Sequence, residues 1–100
     1  MVIIEFNIVP LGVGVSLSKF IAPALEEVKR RKVRYEITPM CTIFEAENLD
    51  ESLEIVKAAH KAVLKAGVKR VVTTIRIDDR RDKERGMEEK VKALKRWLKE

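Results

Sequence analysis

The sequence contains few residues of several types, and each shortage excludes a class of protein. Cys41 is the only cysteine, so the chain cannot form an internal disulfide, which favours a reducing compartment. No apolar run approaches the roughly 20 residues of a membrane helix. The N-terminal segment has neither a basic stretch nor a small-residue cleavage site, which argues against a signal peptide. We therefore expect a cytoplasmic protein without a membrane partner.

Aromatic residues are also scarce, at 5% of the chain, and their positions disfavour RNA binding. Domains that bind single-stranded RNA on a sheet stack the bases on exposed aromatic side chains, whereas alternation places Phe6 and Phe44 on the core face. The net charge of +5 does not alter this conclusion. The basic run 29–32 falls where a helix should end, and cations there favour the helix dipole. We expect no nucleic-acid partner.

What the chain does contain is typical of a small folded protein. One hundred residues suffice for one core, so we expect a single domain over residues 1–100. Hydrophobic residues make up 46% and charged residues 37% of the chain, which excludes disorder. Abundant Lys, Arg, Glu, Val and Ile are also typical of thermophilic proteins.

The spacing of apolar residues predicts seven elements of secondary structure. Alternation of apolar and polar residues indicates strands, and apolar residues three or four apart indicate helices. In chain order the predicted elements are strand 2–9, helix 19–31 behind an N-capping Ser18, strands 33–38 and 42–47, a helix from Asn48 or Asp50 to Ala66, strand 70–77 and a C-terminal helix from Met87 to Leu98. Because a proline beyond the first turn removes a backbone hydrogen bond, the first helix could instead begin near Pro23.

This order of elements, β-α-β-β-α-β-α, predicts a ferredoxin-like α+β sandwich. Such a fold has a four-stranded antiparallel sheet with two helices on one face, here with an additional C-terminal helix. The other face is left open and should carry Glu5, Asn7, Glu45, Thr74 and Arg76. A second copy of the chain, the C-terminal helix or both should cover it, so we expect a homo-oligomer.

The loop between the first strand and the first helix is the most suggestive motif. Gly12 and Gly14 let the backbone approach a ligand, and the hydroxyls of Ser16 and Ser18 supply hydrogen-bond donors beside a helix N-terminus. The same residues also suit an ordinary turn with a capping serine. The pattern leaves both interpretations open, although it matches neither a dinucleotide fingerprint nor a P-loop.

Four further polar residues are candidates for a ligand site. Thr38 and Thr42 flank the predicted hairpin and could line a pocket, although they are also ordinary strand residues. Asn7 and Glu45 lie on the open face. The carboxylate of Glu45 could bind a ligand's amino group, or it could pair with Arg76 across the sheet or between chains.

The titratable side chains show no catalytic or metal-binding pattern. Cys41 has no base at a suitable spacing, and a histidine at the edge of an apolar helix face, such as His60, usually packs with a satisfied ring nitrogen. Asp78, Asp79 and Asp82 are interspersed with arginines, which favours ion pairs over a divalent cation. We expect no enzymatic activity, no metal and no cofactor.

Three segments that occur in order together resemble the thiamine-binding protein family, small ferredoxin-like proteins formerly of unknown function. They are PLGVGVSLSK at 10–19, YEITPMCT at 35–42 and KRVVTTIRIDDRRDK at 69–83. The resemblance extends over essentially the whole chain. One departure is Cys41, which stands in the hairpin turn where the family usually has glycine.

The resemblance implies non-catalytic binding of thiamine or its hydroxymethylpyrimidine moiety by a homotetramer of sheet-paired dimers that serves as carrier, buffer or sensor. Thiamine would then be a ligand rather than a cofactor. Its aminopyrimidine has hydrogen-bond donors and acceptors that can pair with side-chain hydroxyls and a carboxylate. The candidate ligand-binding residues are Asn7, Gly14, Ser16, Ser18, Thr38, Thr42 and Glu45. An amino-acid-binding regulatory module has the same order of elements and is the alternative.

Overall fold

The computed structural model describes residues 1–98, and these form one four-stranded sheet with three helices. The expected ferredoxin-like α+β arrangement is confirmed. The elements in chain order are β1 (Val2–Leu11), α1 (Ser18–Arg30), β2 (Tyr35–Ile37), β3 (Thr42–Ala46), α2 (Leu49–Lys65), β4 (Arg70–Asp79) and α3 (Met87–Lys95).

The sheet has the order β2-β3-β1-β4, and every neighbouring pair is antiparallel. β1 and β4 are each two residues longer than predicted, because they pair from Val2 opposite Asp79 to Leu11 opposite Arg70. β2 is shorter than predicted, because it lies at the edge and pairs with β3 alone. The two long strands therefore form the longest paired ladder of the sheet.

The hydrophobic core lies between one face of the sheet and the helices α1 and α2. Alternate β1 residues point into it, and Ile4, Phe6 and Ile8 are at most 3% exposed. The ring of Phe6 meets that of Phe44 from β3 edge to face, with centroids 5.8 Å apart, a favoured aromatic geometry. The helices complete the core with Ala24, Val28, Ile55, Val56, Ala59 and Val63.

The start of α1 differs from the prediction. Ser18 is the first helical residue, and Leu17 is the N-cap, with no side chain capping the helix. The carbonyl of Leu17 accepts the amides of Phe20 and Ile21, so the helix begins one residue earlier than a capping Ser18 would require. The alternative start near Pro23 is also wrong, because Pro23 lies inside the helix.

The other helix ends follow their sequence signals more closely. The side chain of Asn48 accepts the amide of Glu51 at 2.8 Å and caps α2, as predicted. Gly67 follows α2 with φ +99°, and Lys32 follows α1 with φ +58°. Both backbones are left-handed, a conformation that glycine adopts freely and lysine does not.

The helix α3 covers part of the open face of the sheet, as expected of the C-terminal helix. Met87 at its first turn is buried, and Lys90 forms an ion pair with Asp78 of β4. The helix ends at Lys95, short of the predicted Leu98. Trp97 follows it and is 86% exposed.

We expect opposite effects from substitutions at the two left-handed positions. Gly67→Ala should lower the free energy of unfolding by about 1 kcal/mol, because it places a Cβ in this conformation. Lys32→Gly should raise it by about 0.5 kcal/mol, since the relief of strain exceeds the added freedom of the unfolded chain. Urea unfolding monitored by circular dichroism measures the free energy of unfolding of each variant. A change in the same direction in both variants would contradict the left-handed backbone at one of the two positions.

Candidate functional site

The loop that leads into α1 surrounds a cavity of about 490 Å³. Gly14, Ser16 and Ser18 all line it, together with Val13, Lys19 and Phe20. Gly14 has φ +92°, and a Cβ there would meet no atom within 4 Å. The glycine is therefore required by backbone conformation, and it leaves the space beside it free.

The start of α1 makes this loop cavity suited to hydrogen-bond acceptors. No side chain caps α1, and its first turn contains no acidic residue. The amide of Phe20 is bonded to the carbonyl of Leu17, so the amides that a ligand can reach at the positive end of the helix dipole are those that precede Phe20. The ammonium of Lys19 lies 5.1 Å from the centroid of the Phe20 ring, a cation–π distance. The loop cavity thus combines two hydroxyls, uncapped amides and one cation.

A second group of predicted residues lines a smaller cavity beside the β2–β3 hairpin. This hairpin cavity measures about 150 Å³ and is bordered by Asn7, Thr38 and Thr42. Thr42 is buried. Thr38 holds the turn, because its hydroxyl donates to the carbonyl of Cys41 at 2.8 Å and accepts the Cys41 amide at 3.1 Å.

The loop cavity and the hairpin cavity are neighbours along α1. The first turn of the helix lines the loop cavity, and residues further along it, Ile21, Ala24 and Leu25, line the hairpin cavity. These three apolar residues were not among the candidates predicted from the sequence. Their helical spacing was visible, but it predicts core residues as readily as the wall of a site.

Glu45 lies apart from the other candidates and lines neither cavity. Its Oε2 accepts the amide of Met87 at 2.8 Å, so a side chain of β3 caps the N-terminus of α3, where a negative charge is favoured. The absence of a side chain at Gly86 permits this approach, because a Cβ there would lie 2.7 Å from this oxygen and would displace the carboxylate. Glu45 thereby links α3 to the open face.

The alternative interpretation of Glu45, a pair with Arg76, is wrong within one chain. β1 lies between β3 and β4, so Glu45 is opposite Ile3, and Arg76 is opposite Glu5. Arg76 Nη1 is accordingly 3.7 Å from Glu5 Oε1. Glu5, which the sequence analysis placed only on the open face, is the residue that meets the arginine.

His60 and the acidic residues at the end of β4 are engaged in structural contacts. Nδ1 of His60 is 2.6 Å from the hydroxyl of Thr73, as expected for a packed histidine. A bidentate hydrogen bond from Arg81 holds the pKa of Asp79 below its ordinary value, and Arg80 does the same for the pKa of Asp82.

The predicted ion pairs are therefore present at the end of β4. Within residues 1–98, no group of three or more potential metal ligands comes together. None of the helices in that range is both long and apolar enough to cross a membrane.

The fold and the cavities along α1 define the class, a small ferredoxin-like α+β protein with ligand-sized cavities. The chain belongs to the thiamine-binding protein family, whose model matches residues 4–95. This confirms the resemblance carried by the three sequence segments.

Relatives and solved structures agree with this assignment. A UPF0045 protein of Methanothermobacter thermautotrophicus is 53% identical and covers 95% of this chain and 97% of its own. A hypothetical protein of Methanocaldococcus jannaschii has a crystal structure with TM-score 0.87 and 42% identity over 94% of this chain and 95% of that one. A Thermotoga maritima protein, whose name assigns it as a hypothesis to thiamine biosynthesis or salvage, superposes with TM-score 0.79 at 27% identity over 93% and 97% of the two chains.

The contact between Glu45 and α3 predicts a coupled pair of substitutions. Glu45→Ala removes the cap and should raise hydrogen exchange of the α3 amides about fivefold, because an N-cap is worth ~1 kcal/mol. Gly86→Ala should have a similar effect by displacing the carboxylate. The double variant should be no worse than either single one, since both remove the same contact.

Glu54→Ala is the matched control, because Glu54 is exposed on α2, on the opposite face of the sheet. It should leave exchange in α3 unchanged. Additive effects of Glu45→Ala and Gly86→Ala would show that the two residues act independently, contrary to the structure.

Proposed function

We propose that this protein binds thiamine or its hydroxymethylpyrimidine moiety without chemical conversion, as a cytoplasmic carrier, buffer or sensor. Membership of the thiamine-binding family supports the class of ligand. The name of the Thermotoga maritima protein points to the same metabolism. The observation that carries the proposal in this chain is the loop cavity, where serine hydroxyls border an uncapped helix N-terminus.

The charges around the loop cavity favour one orientation of the ligand. Thiamine has a neutral aminopyrimidine with ring-nitrogen acceptors and a cationic thiazolium. The acceptors suit the hydroxyls of Ser16 and Ser18 and the first amides of α1. Lys19 lines the same cavity and would repel the thiazolium. The pyrimidine end therefore belongs in the loop cavity, with the thiazolium directed away from it.

The hairpin cavity offers a continuation of this site along α1. Its polar border consists of Asn7, Thr38 and Thr42, which can supply hydroxyl and amide groups to a substituent of the ring. Thr38 already donates to and accepts from the backbone of its own turn, so we assign it to shaping the cavity. Glu45 caps α3, and we leave it out of the proposed site.

The side chains around these cavities support binding rather than catalysis. A catalytic cysteine needs a base within hydrogen-bond reach. The Sγ of Cys41 lies 3.4 Å from the hydroxyl of Thr38 and 3.7 Å from Oε2 of Glu5, and a carboxylate is a weaker base toward a thiol than the imidazole that usually activates a cysteine. The ring of His60 is hydrogen-bonded to Thr73 between α2 and β4. We therefore propose that the ligand is bound and released without chemical change.

The proposed oligomer is a homotetramer built from sheet-paired dimers. β4 is an edge strand of ten residues, and a long unblocked edge is a template for pairing with a second chain. Val72, Ile75 and Ile77 on this strand are between 38% and 46% exposed. Sedimentation should give four times the 11.5 kDa of one chain, and a monomeric mass would refute this part of the proposal.

Ligand binding should appear as thermal stabilisation. At a concentration 100 times its dissociation constant, a ligand stabilises by about 2.7 kcal/mol, which corresponds to a rise in Tm of roughly 10 to 20 °C for a chain of this length. We expect this rise with thiamine or hydroxymethylpyrimidine. No rise with either, or a rise with an amino acid alone, would refute the proposed ligand.

The position of the site is tested by changing the hydroxyls of the loop. The double variant Ser16→Ala with Ser18→Ala should weaken thiamine binding by at least about tenfold in calorimetry, because each lost hydrogen bond contributes about 1 kcal/mol. Glu54→Gln, exposed on α2, is the control and should bind as the unaltered chain does. Full affinity in the serine double variant would place the ligand elsewhere.

A further inference from the structure

A cavity of about 500 Å³ lies between α3 and the open face of the sheet. Pockets of this volume hold small organic ligands. Its apolar lining comes from both sides, namely Ile3 and Ile43 on the sheet and Met87, Val91 and Leu94 on α3. We call it the α3 cavity.

The α3 cavity exists because the helix is fixed at one end only. Met87 is buried, and its amide is bonded to Glu45. Towards the other end of the helix, Val91 is 49% and Leu94 64% exposed. The apolar residues of α3 therefore lie above the apolar residues of the sheet without packing tightly against them. Filling the space would bury apolar surface of both the sheet and the helix, which favours an occupant with an apolar body.

The polar groups of the α3 cavity carry an excess of negative charge. Glu5, Glu36 and Asp78 line it, against Arg76 and Lys90. This balance is opposite in sign to the net charge of +5 of the whole chain. Asp78 forms an ion pair with Lys90, and Glu36 Oε1 lies 3.7 Å from Arg34 Nη2. Glu5 is therefore the carboxylate of this cavity that is best placed to interact with an occupant.

Glu5 is placed to bind a cation. It lies on the central strand, and its nearest polar partners are Arg76 Nη1 at 3.7 Å from Oε1 and Cys41 Sγ at 3.7 Å from Oε2. The distance to Arg76 exceeds that of a charge-assisted hydrogen bond, about 2.7 to 2.9 Å, and the thiol of Cys41 is only a weak donor. The side chain of Arg76 is 83% exposed, so water screens its pairing with Glu5. The carboxylate of Glu5 can therefore accept a hydrogen bond from a ligand donor that comes closer.

We propose that the α3 cavity is a second binding site, for a small molecule with an apolar, ring-sized body and one amino or ammonium group. The body lies between Ile43 and Val91, and the amino group donates to Glu5. This site shares no lining residue with the loop cavity or the hairpin cavity. The inference goes beyond the proposed function and does not depend on it.

A second copy of the chain is the competing occupant. The floor and the roof of the α3 cavity belong to the same chain, so a partner would have to insert a side chain between them to fill it. Glu5 also favours an occupant of positive charge over an apolar side chain. The geometry therefore supports a small cationic ligand.

Three probes with one ring system and different charge test the proposal. The full-length chain is titrated with naphthylmethylamine, naphthylmethanol and naphthoate, and amide NMR shifts are followed. The amine should shift the amides of Ile3, Ile43 and Val91 with a dissociation constant about tenfold below that of the alcohol, because its hydrogen bond is charge-assisted. Naphthoate should bind more weakly than both.

Two variants test separately the charge of Glu5 and the volume of the α3 cavity. Glu5→Gln should abolish the preference for the amine and leave the affinity for the alcohol unchanged. Val91→Trp fills the cavity and should prevent binding of all three probes. Glu54→Gln is the matched control, and it should retain the full preference for the amine.

Several outcomes would overturn the inference. They are equal binding of the three probes, no saturable shifts at about millimolar concentration, and shifts away from α3. A lower sedimentation mass of Val91→Trp would mean that a second copy fills the cavity.

Thiamine binding that is lost in Val91→Trp but kept in the loop serine variants would mean that this is the thiamine site and not a second one. Thiamine binding that depends on the loop serines, together with no amine binding, would refute this inference and leave the proposed function standing.

Discussion

The central position of β1 is the constraint on which the rest of the structure depends. It pairs with β3 on one side and β4 on the other, and its side chains alternate between the two faces. Because Ile4 and Phe6 face the helices, Glu5 must face away from them, beside Ile43 and Arg76. A shift of one residue would exchange the two faces of the strand. One register thus determines both the core and the polar surface opposite it.

The fold was predictable from the sequence because its signals are local. Alternation in β1, the capping Asn48 and Gly67 after α2 each act within a few residues of the element that they define. The start of α1 was not predictable in the same way. Ser18 is a good N-cap in general, but the carbonyl of Leu17 begins the helix one residue earlier, and nothing in the residue type distinguishes the two positions.

The candidate site was only partly predictable, because contacts between distant segments determine it. Gly14, Ser16 and Ser18 line one cavity because they are close in sequence. Glu45 caps α3, although 40 residues separate it from Gly86, the residue that allows its close approach. The pairing of Arg76 with Glu5 rather than Glu45 follows from strand order, which residue types do not encode. Membership of the thiamine-binding family supports the proposed class of ligand, and the loop cavity identifies the side chains that would surround it.

The attachment of α3 has a consequence for how this fold can diversify. The sheet is complete at Asp79, before α3 begins at Met87. The polar contacts of α3 include exposed ion pairs, from Lys90 to Asp78 and from Arg34 to Glu88, which contribute little to folding. The main core between the sheet and the helices α1 and α2 contains no residue of α3. Substitutions on the outer side of the last helix can therefore alter the chemistry of this surface while the packing of the βαββαβ unit stays the same.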